Sequence, residues 1–176
     1  MDMQDQSAFE SARVRLKVGV CDDDALALGV LKSTLELAPS MDLVITTTES
    51  SVALAFEGEI DVWLVDIKMP GQCGVKVAQQ LTSRENAPKV ILITSGAEVP
   101  AQELAEAGVS GFLFKDAKLS NYLAAIEAAA AGFHVMSPEV SPHYLPDATV
   151  APGSQGRILG GLRRVVSTAS RGDQKR

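Results

Sequence analysis

Apolar residues in this chain come in short, unbroken runs separated by longer stretches of helical texture. Leu16-Lys17-Val18-Gly19-Val20-Cys21, Val62-Trp63-Leu64-Val65, Lys89-Val90-Ile91-Leu92-Ile93 and Gly111-Phe112-Leu113-Phe114 are the clearest runs. Runs of this length, rich in β-branched and aromatic residues, read as strands buried on both faces, which is the habit of parallel sheets. A fifth run, Leu43 to Thr47, ends in three threonines and reads as an edge strand. Helices are predicted over about 24–38, from a Ser50-Ser51 cap to about Glu57, over about 74–84, 100–107 and 119–131. Pro39 ends the first, and Gly58, Gly108 and Gly132 follow the ends of the second, fourth and fifth. Five β–α alternations with short connections imply a doubly wound α/β fold, a five-stranded parallel sheet in the flavodoxin-like order 2-1-3-4-5.

Each strong run stops at a polar residue. Asp22 and Asp23 follow the first strand, Asp66 the third, Thr94 the fourth and Lys115 the fifth. Open parallel sheets bind their ligands at the carboxyl ends of the strands. One sheet edge therefore collects three carboxylates, a hydroxyl and an ammonium. Clustered carboxylates repel unless a cation joins them. Mg2+ suits such a site, because it takes one or two carboxylates together with phosphate oxygens and water. A carboxylate can also act as a nucleophile towards phosphorus, a lysine can hold a phosphate oxygen and a threonine can donate to another. Every component has one task in phosphoryl transfer to an aspartate.

Singly, these residues mean little. An Asp at a strand end is more often a helix cap than a ligand, and Asp24 is assigned to capping. Thr94 alone is a turn residue, Lys115 a solvated lysine, Phe112 a core aromatic and Met69-Pro70-Gly71 a turn signal. Their joint placement at four strand ends carries the functional reading. An aspartyl-nucleophile hydrolase would place a second Asp two residues after Asp66, where Lys68 stands. A dinucleotide site would need a glycine-rich turn where Cys21-Asp22-Asp23-Asp24 stands.

Residues 14–132 resemble the receiver domain of bacterial two-component response regulators. The resemblance rests on Val65-Asp66-Ile67-Lys68-Met69-Pro70-Gly71 followed by Gly74, on Cys21-Asp22-Asp23-Asp24, on Ile93-Thr94-Ser95, and on Gly108 through Asp116. It implies that Asp66 is the phosphoacceptor. It implies Mg2+ on Asp23, Asp66 and the Lys68 carbonyl, with Asp22 acting mainly through coordinated water. It further implies phosphate contacts from Thr94 and Lys115, a switch formed by Thr94 and Phe112, a sensor histidine kinase as partner, and dimerisation through the face of the fourth helix, fifth strand and fifth helix. Phosphotransfer to its own Asp66 is the only chemistry expected; no external substrate is.

Charge divides the chain. Residues 1–132 hold 10 basic and 19 acidic residues, a net of −9, whereas residues 133–176 hold 6 basic and 3 acidic, a net of +3. Residues 1–13 read as a disordered leader. Residues 133–176 read as a basic tail carrying Pro138, Pro142, Pro146 and Pro152 and one weak amphipathic stretch, Ile158 to Val166. The junction Ala131-Gly132-Phe133-His134-Val135-Met136-Ser137-Pro138 resembles that of regulators with a LuxR-type helix-turn-helix. The 44 residues after Gly132 lack that domain's paired helices. The expectation is a receiver that switches a protein-interaction surface without reading DNA sequence; the alternative is a transcription regulator whose LuxR-type output is truncated or highly diverged. Cys21 and Cys73 lack metal-ligand spacing, and Cys21 reads as a small buried thiol. With no signal peptide and no apolar stretch approaching about 20 residues, a cytoplasmic protein without a membrane segment is expected.

Overall fold

The computed structural model describes residues 15–96 and 99–136. The predicted leader and nearly all of the predicted tail, including Ile158 to Val166, lie outside the described residues. Element order is β1 (Leu16–Cys21), α1 (Ala25–Leu37), β2 (Met41–Thr47), α2 (Ser50–Ala55), β3 (Val62–Asp66), α3 (Gly74–Thr82), β4 (Lys89–Thr94), α4 (Ala101–Glu106), β5 (Gly111–Phe114), α5 (Leu119–Ala130) and β6 (Val135–Met136). All strand pairings are parallel, in the order β2-β1-β3-β4-β5-β6.

The unbroken apolar runs of β3 and β4 exist because the sheet is covered on both sides. Val62, Leu64, Ile91 and Ile93 pack with Leu31, Leu35, Tyr122 and Ile126 from α1 and α5. Their neighbours Trp63, Val65, Val90 and Leu92 point the other way, towards Val77, Leu81 and Leu104 from α3 and α4. Alternate residues of one strand thus serve two cores. Trp63 fits only because its partner on β1 is Gly19: a Cβ there would lie 2.7 Å from the indole ring.

Three local features depart from the sequence expectation. The sheet has a sixth strand, past Gly132 in the stretch read as tail. Val135 and Met136 pair with Gly111 and Phe112, extending the predicted order by one. A two-residue strand is too short to show a period. Helix α2 is not capped by a serine: its N-cap is Glu49, with no side-chain capping bond, while the Thr47 hydroxyl accepts the Glu49 N–H at 3.0 Å. Helix α3 stops at Thr82. Two residues on, Arg84 turns its guanidinium to the Phe56 and Leu54 carbonyls at the end of α2. Asp24 does cap α1, accepting the Leu26 and Ala27 N–H groups at 2.9 and 3.3 Å. Among the described residues no helix is long and apolar enough to cross a membrane.

The two thiols differ sharply. Cys73 is exposed, whereas Cys21 is buried against the Met69 sulfur at 3.4 Å. Burial, reinforced by the nearby charges of Asp22, Asp66 and Asp23, pushes the Cys21 thiol up to about 12. Thiolate is the reactive form. At pH 8 a disulfide reagent should therefore titrate one thiol quickly and the second only on unfolding, with Cys73→Ser removing the fast phase. Because the folded thiol binds its proton more tightly than an unfolded one, its contribution to stability is intact below pH 9 and is lost as pH climbs towards 12.

Candidate phosphoryl-transfer site

The parallel sheet brings Asp22, Asp66, Thr94 and Lys115 to one edge because each sits at, or one residue beyond, the end of β1, β3, β4 or β5. Asp22 is fully buried, Asp66 is 3% exposed and Thr94 is fully buried, whereas Asp23 faces solvent. Carboxylate oxygens of Asp22, Asp23 and Asp66 all lie within 4.8 Å of one another.

Lys115 reaches between the two buried carboxylates. Its ammonium donates to Asp22 Oδ1 at 2.8 Å and to Asp66 Oδ2 at 2.9 Å. Burial alone would lower the lysine pKa, but the two carboxylate bonds more than offset it and hold the ammonium above its ordinary range. Burial pushes the Asp66 carboxyl above the usual carboxylate range, and the bond to Lys115 pulls it back only part of the way. Other polar groups are already committed. Asp22 Oδ1 also accepts the Asp24 N–H at 2.9 Å, and Asp66 Oδ1 accepts the Lys68 N–H at 3.3 Å. The Thr94 hydroxyl accepts the Gly96 N–H at 3.3 Å.

Asp22 Oδ2 is buried without a hydrogen-bond partner among the described residues. A buried carboxylate oxygen left this way is costly. Three carboxylates face one ammonium, so a hard divalent cation with oxygen preference fits both the charge deficit and the orphaned oxygen. The three carboxylates thus have the charge and the oxygen donors of a Mg2+ site.

The loop after β3 holds Asp66 through backbone packing. Ile67 N–H donates to the Ile93 carbonyl at 3.0 Å, and Gly74 N–H to the Ile67 carbonyl at 2.9 Å. A Cβ on Gly74 would lie 1.9 Å from the Asp66 carbonyl oxygen and 2.8 Å from the Ile67 Cα. Gly74 thus lets α3 begin directly against the backbone of Asp66 and Ile67. Gly71 adopts φ +83, a left-handed turn suited to glycine. The sequence marked Gly71 through the Met69-Pro70-Gly71 turn signal, but nothing in it revealed that Gly74 is needed for closeness.

Phe112 lies apart from this charged cluster. It is 1% exposed, in the core on the α3–α4 side, with its ring edge-on to Phe114 at 5.9 Å between centroids.

Comparison with known proteins agrees with this geometry. Residues 18–127 match the family described as response regulator receiver domain. The transcriptional regulatory protein YvfU of Bacillus subtilis is 31% identical over 135 residues, which cover 75% of this chain and 68% of that protein. The nitrate/nitrite response regulator protein NarP of Escherichia coli is 32% identical over 130 residues, 72% of this chain and 60% of NarP. Among solved structures, the signal receiver domain of NarL from Mycobacterium tuberculosis superposes with a TM-score of 0.62 at 30% identity, covering 67% of this chain and 98% of that one. With strands in receiver order and an acidic triad beside a lysine at their carboxyl ends, the chain belongs to the response regulator receiver family of two-component systems.

Proposed function

We propose that Asp66 accepts a phosphoryl group from a sensor histidine kinase and that Asp22, Asp23, Asp66 and the backbone carbonyl of Lys68 hold the Mg2+ that assists the transfer. Receiver domains of this family are phosphorylated by histidine kinases. The observation that carries the assignment is the clustering of three carboxylates, two of them bonded to Lys115, with one buried oxygen of Asp22 unpaired among the described residues. Bound Mg2+ would offset charge on the transferring phosphoryl oxygens. Asp66 supplies the nucleophilic oxygen: a bond forms from it to phosphorus as the bond from phosphorus to the donor breaks. Lys115 then has a third anion to serve, and it trades carboxylate contacts for a phosphate oxygen. Thr94 supplies a hydroxyl donor to the bound group.

Acetyl phosphate with Mg2+ should add the mass of one phosphoryl group to the full chain, and Asp66→Asn should add none. Continued single phosphorylation of that variant would displace Asp66 from its role. The metal reading has its own test in thermal melting. Asp23→Ala removes one repelling charge, so its Tm without divalent ions should rise by a few degrees, while the rise produced by Mg2+ in the wild type should largely vanish. An undiminished Mg2+ response would exclude Asp23 as a ligand.

The phosphoryl group favours an active state only through contacts made better in that state. We place that switch in Thr94 and Phe112, and its readout on the face built by α4, β5 and α5, as a phosphorylation-dependent homodimer. Sedimentation of phosphorylated and unphosphorylated chain measures this directly; equal monomer fractions would rule the dimer out. The relatives are transcriptional regulators, which supports the alternative of a transcription regulator with a diverged output. In either case a cytoplasmic protein meeting the kinase at the membrane's inner side suits the family's role.

A further inference from the structure

Helix α5 carries one buried aromatic residue, Tyr122, which is 2% exposed and packs in the core on the α1–α5 side. It helps line the groove between α1 and α5, whose lining also includes Asp22 and Lys115. A phenylalanine would fill the same volume, and a buried hydroxyl is costly unless bonded. Here the hydroxyl donates to the Phe114 carbonyl at 3.2 Å. That carbonyl belongs to the peptide unit whose N–H is that of Lys115, and this N–H donates to the Thr94 carbonyl at 2.7 Å. The peptide immediately before Lys115 is therefore held at its oxygen by α5 and at its nitrogen by the last residue of β4. The same oxygen also accepts the Ala117 N–H at 3.0 Å. It is satisfied without Tyr122, so the phenol bond adds constraint where none was needed for hydrogen-bond completeness.

We infer that Tyr122 is a positioning residue for phosphoryl transfer, its hydroxyl fixing the peptide plane from which Lys115 reaches the two buried carboxylates. The lysine ammonium lies at the end of a flexible stem, so a small tilt of its backbone unit is magnified at the charged tip. The carbonyl that holds the other side of this peptide belongs to Thr94 itself, so the clamp sets lysine and hydroxyl relative to each other. This inference rests on the phosphoryl-transfer reading above and extends it to a residue outside the charged cluster.

The test is a double-mutant cycle on the full chain with acetyl phosphate at saturating Mg2+. Tyr122→Phe should lower the initial rate of phosphorylation about 3- to 10-fold, the range of one positioning hydrogen bond. Its Mg2+ affinity should stay within about twofold, because no metal-binding carboxylate is touched. In a Lys115→Ala background the same substitution should cause no further loss, a result that general destabilisation would not produce. The Lys115 amide signal in a nitrogen–proton NMR spectrum should shift in Tyr122→Phe, while signals from β2 stay in place and show that the variant is folded. An unchanged rate in Tyr122→Phe alongside a slow Lys115→Ala overturns the inference alone. Equal fractional losses in both backgrounds overturn it too. A Lys115→Ala variant as fast as wild type would overturn the site reading, and the inference with it.

Discussion

Replacing Lys115 by Met should cost about 3–5 kcal/mol of stability in the absence of divalent ions, the range for removing one partner of a buried ion pair. The substitution keeps the stem and deletes the charge. It leaves Asp22, fully buried, and Asp66, 3% exposed, facing each other with no cation between them. Mg2+ should recover part of the loss, because it supplies the missing positive charge to the same oxygens. The dependence on pH has a definite sign. Burial already raises the Asp66 carboxyl, and Lys115 is the group that lowers it again. Without Lys115 the folded carboxyl holds its proton to higher pH than the unfolded one. That carboxyl's contribution to the variant's stability is then fully present below the ordinary carboxylate range and is lost as pH rises through the elevated value. Denaturant unfolding at pH 5 and pH 8, with and without Mg2+, measures all of this. A deficit below about 1 kcal/mol, equal at both pH values, would mean that the lysine is a surface charge.

Gly74→Ala should be the most damaging single-methyl change near the site. The added carbon would stand 1.9 Å from the Asp66 carbonyl oxygen, and all three of its nearest neighbours are backbone atoms that cannot rotate away. Helix α3 must retreat or the end of β3 must bend. Overpacking of this kind costs about 1–3 kcal/mol. Displacing the nucleophile by about 1 Å is enough to slow a positioned reaction about 100-fold. Gly29→Ala is the matched control: Gly29 lies in α1 with no atom of the described residues within 4 Å of a new Cβ. It should leave phosphorylation unchanged and stabilise the chain by up to about 1 kcal/mol through helix propensity. Unfolding curves and acetyl phosphate rates for the two variants give the comparison. Equal behaviour would remove close approach as the reason for Gly74.

Legibility of the site followed from strand ends. In a parallel sheet the residue after each apolar run is carried to the ligand-binding edge, so Asp22, Asp66, Thr94 and Lys115 could be placed together from one-dimensional pattern alone. Asp24 was readable as a cap because an Asp before an apolar periodic stretch has a local hydrogen-bonding task. What pattern does not carry is pairing. It brought Lys115 to the site without showing that its ammonium pairs with both Asp22 and Asp66. Nothing in the sequence singled out Tyr122, since the carbonyl its hydroxyl meets is eight residues away and set by the β5–α5 turn. β6 escaped because two residues show no alternation. The serine cap of α2 failed because a local rule lost to the Thr47 hydroxyl, already engaged with Glu49 at the end of β2.

In the proposed reaction one carboxylate, Asp66, becomes an acyl phosphate. Borohydride reduces an aspartyl phosphate to homoserine and leaves free carboxylates untouched, so it records the modified position chemically. The full chain treated with acetyl phosphate and Mg2+, reduced and digested, should show homoserine at position 66, and the signal should vanish when Mg2+ is withheld. Homoserine at position 22 or 23 with Asp66 intact, or at no position although phosphate has been incorporated, would show that Asp66 is not the phosphoacceptor.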